Sequence, residues 1–94
     1  MMDFSQSYRL ARGFSFRREP FGGIIYHFEG IRPDPRLYIV KSPFLIGLLE
    51  LMEEGPVDEL IREVSGRFEL DQDQVAAIEG FLITLNSRGA FVTA

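Results

Sequence analysis

The chain holds one histidine, His27, and no cysteine, so the side chains that serve most often as general bases, thiol nucleophiles and soft metal ligands are nearly absent. Within these 94 residues a disulfide framework, a thiolate zinc site, a cysteine nucleophile and a cysteine-ligated iron–sulfur cluster are all excluded. One imidazole cannot build a histidine-rich metal centre. His27 stands in "GIIYHF" with no serine or threonine near it to act as a nucleophile, and a lone histidine in such a run more often packs than transfers protons. The glycines of "REPFGG" and "FEGIRP" lack the lysine and the helix context of a phosphate-binding loop. Glu53 and Glu54 close a helix, while Asp71 and Asp73 open one, where negative charge suits the helix dipole. The expectation is therefore no catalytic residue, no metal, no cofactor and no enzyme.

If the chain does no chemistry, its elements must build a surface. A length of 94 residues with 46% hydrophobic side chains fits one compact domain with a single core. No apolar stretch approaches the ~18 residues of a membrane span, and "MMDFSQSYRLARG" has no apolar signal region. A cytoplasmic protein without a membrane partner is expected. Charge divides along the chain: residues 1–41 carry seven cations against four acids, and residues 42–94 three arginines against ten acids. Such opposite halves suit two surfaces with different partners.

Residues 1–12 are polar and basic, which predicts a flexible N-terminal segment ahead of one domain over 13–94. "FSFRRE" alternates as a half-buried strand does, and "EPFGG" stops it. "GIIYHF" is rich in β-formers without alternation, which predicts a central strand covered on both faces, or one whose second face is partly protected. "EGIRPDPR" is a connection broken by two prolines, and "RLYIV" is a third short strand. Three helices follow. Ser42 and Pro43 start the first, "PFLIGLLELM", with the serine hydroxyl expected as its cap. Val57, Leu60, Ile61, Val64 and Phe68 form the apolar stripe of the second. Asp71 and Gln74 predict a capping box for the third, which should run to about Arg88, and the tail "AFVT" can add a short strand.

In the third helix Val75, Ile78, Phe81, Leu82 and Leu85 share the core face. Ala76 and Ile83 project roughly opposite, beside Gly80 in the helix interior, where glycine costs ~1 kcal/mol relative to alanine. That track either lets a partner approach the backbone or leaves Ile83 as an ordinary exposed apolar residue. A sheet followed by three helices also fits a winged-helix nucleic-acid-binding or regulatory domain. Duplex binding rests on Lys and Arg at phosphates, and helix 72–88 carries only Arg88, at its end. Nucleic acid is thus a disfavoured partner.

"REPFGGIIYHF", a strand leading into "KSPFL", and a helical stretch ending in "FLITLNSRGAFV" together resemble the peptide chaperones of the mycofactocin system. "EGPVDELIREVSGRFELDQDQVAAIEGFLITLNSRG" is similar to the second half of the pyrroloquinoline quinone biosynthesis chaperones. Both are RiPP recognition elements, and the resemblance covers about residues 14–92. It implies an α+β, winged-helix-like fold, with a three-stranded antiparallel sheet followed by three helices. It also implies binding without catalysis. Such a domain holds the leader of a ribosomally made precursor peptide and presents it to a radical S-adenosylmethionine maturase, which in the mycofactocin system modifies a Val-Tyr end. The connection "EGIRPDPR" is longer than the short turn of those chaperones.

On that resemblance a leader peptide would pair with the third strand, through Leu37, Tyr38, Ile39 and Val40, which lie between Pro35 and Pro43. Ala76, Gly80 and Ile83 would face it across a groove, with Glu79 reading a cationic leader residue. The alternative is that this strand is already paired, with "AFVT" or in a dimer.

Overall fold

The computed structural model describes residues 2–28 and 36–94. In chain order the elements are β1 (Tyr8–Leu10), β2 (Phe14–Glu19), β3 (Gly22–His27), β4 (Arg36–Val40), α1 (Pro43–Leu51), α2 (Val57–Phe68), α3 (Gln72–Ser87) and β5 (Phe91–Thr93). The fold is α+β: an antiparallel sheet in the order β2-β3-β4, then three helices, with a small second sheet of β1 and β5. The proline-broken connection lies mostly outside the described residues.

The paired glycines after Pro20 each have a physical cause. Glu19 and Gly22 close a two-residue hairpin turn of Pro20 and Phe21. Gly22 has a φ of +146°, and a Cβ there would stand 2.5 Å from the Val40 carbonyl oxygen. At Gly23 a Cβ would stand 2.6 Å from the Phe16 ring. Only glycine lets β4 and a large aromatic side chain close on the turn from two sides.

The core gathers Ile25 and Val40 from the sheet, Ile46, Leu48 and Leu49 from α1, Val57, Leu60, Ile61 and Val64 from α2, and Ile78, Leu82 and Leu85 from α3. Phe68, the last residue of the expected α2 stripe, is exposed and packs its ring edge-on to Phe44 at 6.4 Å. The Asp71–Gln74 capping box forms as expected: the Gln74 amide donates to Asp71 Oδ1 at 2.8 Å, and the Asp71 amide to Gln74 Oε1 at 3.0 Å. Ser42 precedes α1, but its hydroxyl makes no capping bond, and Pro43 alone favours the helix start.

The N-terminal segment is docked rather than loose. Pro56 offers α2 no side-chain cap, and the carbonyls of Gln6 and Phe4 accept from the Val57 and Asp58 amides at 3.1 and 2.9 Å. Those are orphan donors of a helix N-terminus. Met2 and Tyr8 are buried in the core, and β1 pairs with β5, joining Tyr8 to Thr93 and Leu10 to Phe91. A polar, basic composition hid this because the bonds are made by backbone carbonyls. Ser5 donates from its amide and its hydroxyl to the Asp3 carboxylate, and the two bonds hold Asp3 below the usual aspartate range.

Of the two expectations for the central strand, full cover on both faces is corrected and a partly protected second face is found. β3 is central, but helices pack on one face only: Gly23 and Ile25 are buried, whereas Ile24 and Tyr26 on the other face remain part-exposed.

Candidate functional site

Among the described residues, no group of three His, Cys, Asp or Glu side chains is placed to hold a metal ion. His27 stacks its ring on Phe14, with centroids 3.9 Å apart and planes 13° from parallel. A surface depression of about 380 Å³ lies between Arg18, Glu50, Arg67 and Phe68 on the α1–α2 side. It includes no residue of β4 or α3.

The sheet edge at β4 is different, because its backbone polarity follows from one hydrogen bond and the register. The Phe28 amide donates to the Gly13 carbonyl at 2.9 Å, so at Phe28 the backbone turns toward β2. Amides along an antiparallel strand alternate in direction, which turns Ile24 and Tyr26 to β2 and Gly23, Ile25 and His27 to β4. Their partners across the ladder are Val40, Tyr38 and Arg36. Leu37 and Ile39 therefore present N–H and C=O to the outer edge. Among the described residues no strand pairs with that edge. β5 is engaged with β1, so "AFVT" does not cover it.

Side chains alternate as well. Tyr38 and Val40 point to the helical side, Val40 into the core. Leu37 and Ile39 point to the open face, 54% and 60% exposed, directly across from Tyr26 and Ile24. Such contiguous exposed apolar surface is unusual on a strand edge, which most proteins blunt.

The two halves of the expected site stand in different relations to the edge. On α3, Ala76, Gly80 and Ile83 are exposed and Glu79 is half-buried. A Cβ on Gly80 would meet no heavy atom within 4 Å, so at Gly80 the track borders open space. A contact between the end of α3 and β4 lies beyond that track, at Arg88, the helix C-cap. Its guanidinium sits 5.4 Å from the Tyr38 ring centroid, and Nη1 donates to the Tyr38 hydroxyl at 3.2 Å. All four β4 residues share one role in the expected site, and Arg88 is not among its residues. The period of two separates Leu37 and Ile39 from Tyr38 and Val40 in the sequence, but the Arg88 contact spans fifty residues and has no local signal.

Over residues 7–92 the chain matches the family model described as the peptide chaperone MftB family. The chain belongs to that family. No curated protein and no solved structure matches it. Membership in the peptide chaperone MftB family carries a chaperone role and makes a peptide the relevant partner. The match takes in β1, the three-stranded sheet, all three helices and most of β5, so edge and helix track both fall within it. No described helix is long and apolar enough to cross a membrane.

Proposed function

We propose that this chain is a non-catalytic adaptor that binds the leader of a ribosomally made precursor peptide as an added strand on β4 and presents it to a radical S-adenosylmethionine maturase, in mycofactocin-type biosynthesis. The observation that carries this reading is the outer edge of β4, where Leu37 and Ile39 turn their amides and carbonyls away from the sheet with no described strand to receive them. A peptide strand satisfies these groups, and its alternate side chains supply selectivity. The open track of Ala76, Gly80 and Ile83, with Glu79 beside it, is the second wall of the proposed groove. The absence of cysteine leaves cluster chemistry to the maturase.

The helix order is shared with winged-helix nucleic-acid binders, but α3 begins with Asp71 and Asp73, and residues 72–88 carry a single cation, Arg88, at the end. That arrangement offers phosphates little.

The test uses the leader encoded near this chain's gene, labelled and titrated against wild type, Ile39→Pro and Gly80→Leu. Binding to wild type that is weakened by both substitutions, with the fold retained, supports the reading. Undiminished affinity in both variants refutes the proposed site. With the whole precursor, S-adenosylmethionine and reductant, this chain alone should leave the peptide mass unchanged. A mass shift without the maturase would overturn the adaptor role.

A further inference from the structure

The two sides of a strand added to β4 would meet different chemistry. Its residues beside Leu37 and Ile39 fall on the open face, next to Ile24 and Tyr26, where the surface is apolar. Its intervening residues fall on the side of Tyr38, where Arg88 is held over the ring by the cation–π contact and the hydroxyl bond. A guanidinium has five N–H donors, and the Tyr38 hydroxyl accepts from one. No carboxylate among the described residues lies within ion-pair distance of Arg88 or of Lys41, which follows β4 directly. The strand itself, "RLYIV", contains no acid.

From this geometry we infer that the β4 edge selects an extended peptide segment of the pattern apolar–acidic–apolar, with the acidic side chain turned inward to the Arg88 guanidinium and the apolar ones outward beside Leu37 and Ile39. The inference rests on the proposed strand addition and names the ligand chemistry of that site. Arg88 is pre-positioned by Tyr38, so a carboxylate meets a donor already ordered, and charge-assisted bonds of this type are the stronger class. A second copy of this chain is a poor occupant. Edge-to-edge pairing with a second β4, "RLYIV", would bring no acid from that strand to Arg88. Glu79 does not compete for the same position, because it lies roughly 13 Å up the helix axis from Arg88.

Three synthetic ten-residue peptides with the same alternating Val and Ile positions separate the possibilities: one with Glu at the intervening positions, one with Gln, one with Lys. Each is titrated by fluorescence anisotropy against wild type, Arg88→Gln, Arg88→Lys and Ile39→Pro, after thermal melts confirm that each variant is folded. The Glu peptide should bind wild type about tenfold more tightly than the Lys peptide at low salt, with the gap narrowing as salt rises. Arg88→Gln should bring the peptides close to equal, and Arg88→Lys should keep much of the preference, an outcome that lost packing alone would not give. Equal binding of all three to wild type, abolished by Ile39→Pro, overturns the acidic preference and leaves strand addition standing. Failure of all three to bind, while the cognate leader binds and responds to Ile39→Pro, overturns the pattern but not the site. If the cognate leader also ignores Ile39→Pro, strand addition falls, and this inference with it.

Discussion

Arg88 and Tyr38, fifty residues apart, form the clasp between the end of α3 and the edge strand β4, with the guanidinium 5.4 Å from the ring centroid and a 3.2 Å bond to the hydroxyl. The clasp is exposed, so its energy is modest, about 0.5–1 kcal/mol. A double-mutant cycle of Arg88→Ala and Tyr38→Ala, read by urea unfolding, should return a coupling of that size. Strictly additive effects would mean that the two side chains do not hold each other.

Alternation along β4 predicts opposite consequences for two neighbouring prolines. Ile39→Pro removes an amide that faces outward and should leave stability within about 1 kcal/mol of wild type. Tyr38→Pro removes a ladder donor to Ile25 and strands a buried acceptor, at a loss of about 1–3 kcal/mol. Chemical denaturation of the two variants checks the assignment, and the reverse order of stabilities would invert the edge.

The N-terminal segment is part of the folded unit. Tyr8 is 7% exposed, sets its ring edge-on to Phe91 at 6.4 Å, and accepts from the Asp3 amide through its hydroxyl. Tyr8→Ala should destabilise the protein by about 3 kcal/mol, as large-to-small core changes do. An unfolding midpoint equal to wild type would return residues 1–12 to the status of a loose end.

Glycines in turn and helix should respond with opposite signs. Gly80 is an interior helix residue with open space beside it, so Gly80→Ala should stabilise by about 0.5–1 kcal/mol. Gly22→Ala must relieve a clash with the Val40 carbonyl at a positive φ and should destabilise by more than about 1 kcal/mol. Thermal melts of the two variants read the contrast directly.

Local signals in the sequence carried much of the fold. The alternation of "FSFRRE", the Ser42–Pro43 start, the α2 stripe and the Asp71–Gln74 box each act over a few residues, and each element stands where those signals put it. What escaped was non-local. Val57 and Asp58 take their caps from carbonyls about fifty residues away, and no side-chain type announces a backbone acceptor. "GIIYHF" leaves full and partial cover of its second face undecided because Ile24 and Tyr26 are apolar, and the described helices cover β3 on one face. The edge residues Leu37 and Ile39 were legible as a short β-favouring run between prolines, whereas their outward polarity required the register and the Phe28 bond.

The most direct test of strand addition is amide hydrogen exchange along β4, measured by NMR with and without the bound cognate leader. In the free protein Tyr38 and Val40 should exchange slowly and Leu37 and Ile39 quickly, since only the first pair is bonded to β3. Saturating leader should slow Leu37 and Ile39 by at least about tenfold and leave Tyr38 and Val40 nearly unchanged. A leader that binds tightly while Leu37 and Ile39 exchange at their free rates would contradict the account.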